Sequence, residues 1–300
     1  MAADPNYAVP TGDFIAEWLE QSGMNAAELA RRLDTTAKHV SELLSGKAPL
    51  SHRSAIALEN VTGVPARIWN QYEARYREDQ ARLATDASLA DQYDQAARFP
   101  LAYLRKHGYV TASARDRAGT VRELLALLRV ASIEAWWTTW SKGSVAYRRS
   151  AAARDDAPAL SVWLALGERD AWGKRCARFD EEAVRAALPQ LREWTAGPAG
   201  TGMDRAARLL KDAGVVLCFL PPVPGLGIHG ATRWIGGMPV VQMSLGWKTD
   251  HQMWFTLFHE LGHVLLHGDK GLYVDSDHTL AEEEADTFAA EMLSRPARRR

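Results

Sequence analysis

The chain has 300 residues, of which 47% are hydrophobic, so it can bury a substantial core, and its length suits two domains better than one. Its formal net charge of -1 excludes a general attraction of the whole molecule to nucleic acid or to a membrane surface, so such a partner must be met by a local patch. The two cysteines lack the spacing of a metal or redox pair, and neither a targeting segment nor a membrane-spanning run is visible, so we expect a soluble, cytoplasmic protein.

Short amphipathic helices separated by polar turns are predicted for residues 1–84. The stretch "NAAELARRL" begins with Asn25 as its N-cap and carries Glu28 three residues later, and a short turn leads from it into "TAKHVSELL". Two helices joined in this way are typical of a helix-turn-helix, whose second helix enters the major groove of DNA. The residues expected at the bases are Thr36, Ala37, Lys38, His39 and Ser41, and those expected at phosphates are Lys47 and Arg53.

The charge of this region leaves a second interpretation open, in which it is a helical protein-interaction module. Residues 1–84 carry nine Lys and Arg against eleven Asp and Glu, so the region as a whole is not basic. Between Thr35 and Leu58, however, Glu42 is the only acidic residue. Positive charge is therefore concentrated where a groove would lie, which favours DNA binding.

The rest of the chain divides at a change of composition. Residues 85–195 carry Ala, Arg and Trp at helical spacing without a cluster of reactive side chains, and we expect a helical connecting region. The turn-forming "TAGPAGTG" marks a boundary, and residues 196–300 are expected to form a third domain. There "VVLCFLP" and "PVVQMSL" predict strands with a Gly- and Pro-rich connection between them, and two helices are expected to begin near His251 and Leu280. The predicted fold class is α+β, with an all-α N-terminal domain, a helical middle region and a small sheet in the C-terminal domain.

The first of these two helices contains the sequence "HELGH". Thr249 can cap the helix, and it can run as far as Gly268. His259 and His263 are one turn apart, so their imidazoles project from the same face and can bind one Zn²⁺. Glu260 then occupies the position of a general base beside the metal. His267 lies eight residues beyond His259, about 12 Å along a straight helix, and is rejected as a direct ligand.

The final helix, "LAEEEADTFAAEML", offers the third ligand. Glu282 lies about 60° from the centre of its apolar stripe, whereas Glu283 and Glu284 point further towards solvent. A buried carboxylate needs a partner, and a dication supplies one. Asp286 could accept the second N–H of a ligand histidine and fix its tautomer. The alternative is a buried helix whose histidines hydrogen-bond to backbone, beside a helix that is merely amphipathic.

These motifs resemble two known families. Residues 12–77 resemble XRE-type helix-turn-helix regulators, closest to HigA-like antitoxins, through "LARRLDTTAKHVSELLSGKAPLS" and "ALENVTGVPARIW". Residues 203–296 resemble the zincin-like ImmA/IrrE metallopeptidase domain through "HGATRW", "PVVQMSLGWKTDHQMWFTLFHELGHVLLHG" and "EEEADTFAAEML". The second resemblance implies zinc on His259, His263 and Glu282, Glu260 as base, and cleavage of a DNA-binding repressor. The first implies a homodimer on a two-fold operator in double-stranded DNA.

We therefore expect a transcriptional regulator whose C-terminal domain binds one Zn²⁺ per chain and cleaves a repressor-like protein, with no membrane partner. The alternative is a HigA-like antitoxin that binds a cognate toxin and whose zinc domain is structural or sensory. The substrate backbone could add to the "PVVQMSL" strand if that strand lies at the edge of the sheet. The side chains considered for stabilising an oxyanion are Tyr273, His278, His229 and Arg233.

Overall fold

The computed structural model describes residues 7–142, 157–268, 272–274 and 280–294. The chain forms two compact units, Met1–Asp91 and Gln92–Arg300. Within the described ranges, no helix is both long enough and apolar enough to cross a membrane.

The first unit is built from consecutive helices that begin at polar caps. The side-chain oxygens of Asn25, Thr36 and Ser51 each accept a backbone N–H from the first turn of the helix that follows. The cap predicted at Asn25 is confirmed, with the Glu28 N–H donating to its Oδ1 at 2.9 Å. The helices are α1 (Thr11–Ser22), α2 (Ala26–Arg32), α3 (Ala37–Leu44), α4 (His52–Thr62) and α5 (Ala66–Asp91).

Helices α2 and α3 form the predicted helix-turn-helix. Asp34 adopts the left-handed conformation with a φ of 51°, which aspartate tolerates better than most residues, and the chain turns there. Ala30 on α2 and Val40 and Leu43 on α3 are buried. They share their core with further buried residues of the first unit: Ile15, Leu19, Leu29, Leu50, Ala55, Leu58 and Trp69.

The second unit combines helices with one sheet. Its helices, in chain order, are α6 (Tyr93–Ala96), α7 (Leu101–Lys106), α8 (Arg117–Leu128), α9 (Ile133–Lys142), α10 (Ala157–Trp172), α11 (Glu181–Trp194), α12 (Ala199–Asp212), α13 (Asp250–Gly262) and α14 (Leu280–Ser294). The strands are β1 (Val216–Leu220), β2 (Gly230–Ile235), β3 (Met238–Ser244) and β4 (Tyr273–Val274). The predicted α+β class is confirmed.

The sheet has the strand order β1-β3-β2-β4. Strand β3 is parallel to β1 and antiparallel to β2, and β2 is antiparallel to β4. The suggestion that a substrate backbone adds to "PVVQMSL" is therefore wrong, because β3 is a central strand whose two sides are already paired. Strand β2 occupies what was expected to be a connection between two strands.

The sheet lies between helices, and alternate residues of its strands face opposite layers. Val216, Cys218 and Val240 pack with Ala171 of α10 on one face. On the other face, a larger cluster joins the sheet to α11, α12, α13 and α14 through Leu217, Val241, Met243, Val184, Leu191, Leu210, Leu257, Leu261 and Ala289. Helices α10 and α11 come from the region expected to be a connector, and the three-part division at residues 84 and 195 stays a prediction.

Candidate functional site

Helix α13 and the residue that directly follows it place three polar side chains in the core of the second unit. As predicted, Thr249 caps the helix by accepting the Gln252 N–H. His259, Glu260 and His263 are all buried, although the helix is otherwise apolar around them. The Nε2 atoms of the two histidines, one turn apart, lie 3.1 Å from each other. Both rings therefore point at one spot.

Helix α14 brings Glu282 to the same spot. Its two carboxylate oxygens lie 2.9 Å from His259 Nε2 and 3.3 Å from His263 Nε2. One ligand atom from each of the three residues falls within 4.8 Å of the others, and all three residues are buried. Glu283, the neighbouring carboxylate, is exposed. The structure thus assembles the three side chains that the sequence put forward as ligands.

The protonation of this group suits a cation. Burial lowers the pKa of His263, which favours the neutral ring that a metal ligand must be. Burial alone would raise the pKa of Glu282, but hydrogen bonds and charge interactions with His259 and His263 outweigh it and lower the pKa to about 2. Two imidazoles and a carboxylate form a donor set that fits Zn²⁺.

Each candidate ligand histidine is held by a second hydrogen bond. Asp286 Oδ1 lies 2.8 Å from His259 Nδ1, where it can accept the second N–H of that histidine. His263 Nδ1 lies 3.0 Å from His267 Nδ1, and His267 Nε2 lies 2.9 Å from Glu284 Oε2. A chain of contacts therefore runs from buried His263 through His267 to an exposed carboxylate.

His263 and His267 lie in a segment whose helix type differs from that of α13. The α-helix ends at Gly262, and His263–His267 form a π-helical turn. A π-helix has more residues per turn than an α-helix, so residues four apart lie more nearly one above the other. Sequence reasoning considered His267 only as a direct metal ligand and missed its contact with His263, although residues four apart share one face of a helix.

Two residues of strand β2 contact the carboxylate of Glu260. Thr232 on β2 donates a 2.6 Å hydrogen bond to Glu260 Oε2. Gly230, at the start of the same strand, lies so close that a Cβ there would come within 2.1 Å of Glu260 Oε1. Sequence reasoning missed the role of Thr232, because β2 was expected to be a connection between two strands.

The four residues considered for an oxyanion have different surroundings. The Tyr273 ring stacks on His263 at 4.5 Å between centroids. His229 is exposed and directly precedes Gly230. Arg233 is directed to the other face of the sheet, where it contacts Glu168 and the Leu164 carbonyl of α10, so the structure does not bring it to the metal ligands. His278 lies outside the described residues.

Helix α3 presents polar residues on the side away from its core. Ala37, Lys38 and Ser41 are exposed, His39 is half-buried, and Val40 faces inward. Other exposed members of the predicted DNA-contact set are Thr36, which caps α3, and Lys47 and Arg53. An exposed polar first turn is what a recognition helix needs.

Comparison with known proteins identifies two regions of the chain. Residues 15–69 match a family model described as helix-turn-helix, and residues 212–294 match a peptidase family model described as the IrrE N-terminal-like domain. The chain is also similar to an uncharacterised HTH-type transcriptional regulator, YddM, of Escherichia coli (strain K12). The two are 31% identical over 77 residues, which is 26% of this chain and 82% of that protein. Both resemblances seen in the sequence are confirmed.

Proposed function

We propose that this chain, which belongs to the helix-turn-helix regulators and carries an IrrE N-terminal-like peptidase domain, is a DNA-binding transcriptional regulator with a zinc-dependent endopeptidase centre. The observation that carries the proposal is the buried group of His259, His263 and Glu282, whose ligand atoms lie within 4.8 Å of one another. Three protein ligands of this kind are typical of catalytic zinc sites, because structural sites are closed by a fourth.

Glu260 would move the proton in the reaction. A Zn²⁺ ion bound by the three ligands supplies Lewis acidity towards a carbonyl oxygen and towards water. Glu260 accepts one proton from the attacking water while the oxygen of that water bonds to the scissile carbonyl carbon. It then passes that proton to the amide nitrogen as the C–N bond breaks. Thr232 supports this role because its hydroxyl holds one carboxylate oxygen of Glu260 in place.

The residues around the ligands would orient them. Asp286 accepts from His259 Nδ1, and His267 accepts from His263 Nδ1 while donating to Glu284, which leaves both ligand Nε2 atoms to the metal. Among the oxyanion candidates we favour Tyr273, since its ring stacks on His263. Burial raises the pKa of the Tyr273 hydroxyl, so it is protonated and able to donate at neutral pH.

The first unit would bind an operator through α3. Lys38 and His39 lie in its first turn, where a recognition helix meets base edges. We expect a homodimer on a two-fold site, and a repressor-like protein as the substrate of the peptidase centre. Both expectations follow from the family resemblance.

A trapping experiment tests the proposal. Glu260→Gln should retain the metal and the fold but lose cleavage, because an amide cannot accept the proton of water. Partners captured on the Glu260→Gln protein are incubated with zinc-loaded wild type, and Glu283→Gln serves as a control that should cleave normally. A partner that wild type and Glu283→Gln cut and Glu260→Gln does not would support the peptidase. Partners that bind but stay intact with every form would favour the non-proteolytic antitoxin.

A further inference from the structure

A small cavity of about 210 Å³ opens beside the candidate metal ligands in the second unit. It lies between the N-terminal half of α13, the loop before β2 and the loop after β3. Its lining residues are His229, Trp247, His251, Gln252, Phe255 and Thr256. None of them has been given a part in holding the metal or moving the proton.

The cavity is continuous with the reacting groups. Phe255 and Thr256 precede His259 and Glu260 by one helical turn, so they lie on the same face of α13. The rings of Phe255 and His259 are 6.4 Å apart between centroids. On the opposite wall, His229 adjoins the strand residue that lies against Glu260. A peptide whose carbonyl reached the metal would therefore have a neighbouring side chain at this opening.

The walls of the cavity suit a large uncharged side chain. The indole N–H of Trp247 donates to Thr256 Oγ1 at 3.3 Å, which leaves its ring for apolar contact. Phe255 is half-buried and supplies a second aromatic wall. Among the described residues that line the cavity there is no carboxylate, lysine or arginine. A lysine or arginine side chain would lose water there and find no carboxylate to pair with.

We infer that this cavity, the Trp247 pocket, binds a large apolar side chain next to the scissile peptide bond. The inference rests on the proposed peptidase function and adds a substrate class to it, namely polypeptides with a residue such as leucine or phenylalanine beside the cleaved bond. Trp247 is then the specificity-determining residue. Removing apolar contact from a specificity pocket lowers discrimination by roughly tenfold or more.

Small hydroxamates separate the pocket from the metal centre. Acetohydroxamate carries only a metal-binding group, whereas 3-phenylpropanohydroxamate adds an aromatic side chain, and titration calorimetry with the zinc-loaded full chain compares their affinities. Wild type should prefer the phenyl compound by roughly tenfold or more, and Trp247→Ala should remove that preference without changing the affinity for acetohydroxamate. Leu245→Ala, which lies outside the Trp247 pocket, is the control and should keep the preference.

The possible failures differ from one another. Equal affinity of wild type for the two compounds, or an unchanged preference in Trp247→Ala, would overturn the pocket and leave the metal centre standing. If acetohydroxamate did not bind to wild type, the metal centre would be overturned together with the pocket. Should Trp247→Ala lose both ligands through misfolding, Trp247→Phe replaces it. That variant must bind acetohydroxamate normally and show a reduced preference.

Discussion

The chain of contacts from His263 through His267 to Glu284 makes a specific prediction about zinc affinity. When His263 gives Nε2 to the metal, its Nδ1–H must be donated elsewhere, and His267 Nδ1 lies 3.0 Å away as the acceptor. His263 is 0% exposed, so no solvent can replace that acceptor. His267→Ala leaves a buried donor unsatisfied, which costs about 1–3 kcal/mol. We therefore expect zinc affinity to fall about tenfold to a hundredfold, the range typical of residues that orient a ligand histidine.

Glu284→Gln is the milder form of the same perturbation. The side chain of Glu284 is 64% exposed, so water can take over part of its hydrogen bond to His267, and we expect a loss of about tenfold. Glu283→Gln is the matched control, because it removes the same charge from the next residue of α14, and that side chain is exposed.

Competition with a chromophoric zinc chelator at constant pH measures the zinc affinities of wild type, His267→Ala, Glu284→Gln and Glu283→Gln. Thermal melting of the metal-free proteins is recorded alongside, since a purely structural role would lower the melting temperature without a specific effect on zinc. If His267→Ala and Glu284→Gln both bind zinc as tightly as Glu283→Gln does, His267 and Glu284 do not orient His263.

Two further predictions concern the fold and the first unit. A Cβ at residue 167 would come within 1.7 Å of the Gln242 side chain, so Gly167→Ala should destabilise the second unit by about 1–3 kcal/mol in urea unfolding. Gly200→Ala is the control and should not lower the stability, because there is open space around Gly200. Equal stability of the two variants would contradict the packing of α10 on the sheet. Lys38→Ala and His39→Ala should each weaken binding to the chain's own promoter region by about 1–3 kcal/mol in gel-shift titrations at fixed salt, while Glu260→Gln leaves it intact. Unaltered binding by both α3 variants would favour the protein-interaction module.

The parts of the site that the sequence predicted are those fixed by helix geometry. The spacing of His259 and His263 dictates that their rings share a face of α13. The inward position of Glu282 followed from the apolar stripe of α14, and the same periodicity placed Asp286 one turn later. Such inferences need only a regular helix and one buried face. The capping residues Asn25 and Thr249 were likewise visible, because a cap acts within a few residues of sequence.

Most of the parts that the sequence missed depend on contacts between distant segments. Strand β2 directly follows a Gly- and Pro-rich loop and was taken as part of that connection, so neither the strand nor the hydrogen bond from Thr232 to Glu260 was predicted. The central place of β3 in the sheet depends on β1 and β2 pairing with it, which its own pattern does not encode. The contact of His267 with His263 was missed for another reason. His267 was considered only as a direct metal ligand, although residues four apart share one face of a helix.

The zinc content of two neighbouring variants decides whether the three buried side chains form a metal centre. Glu282 is assigned as a ligand and Glu283 is exposed, although the two residues are adjacent and chemically identical. Elemental analysis of purified protein should find about one zinc per chain in wild type and in Glu283→Ala, and far less in Glu282→Ala. Equal zinc content in the two variants would contradict the assignment of His259, His263 and Glu282 as a metal centre.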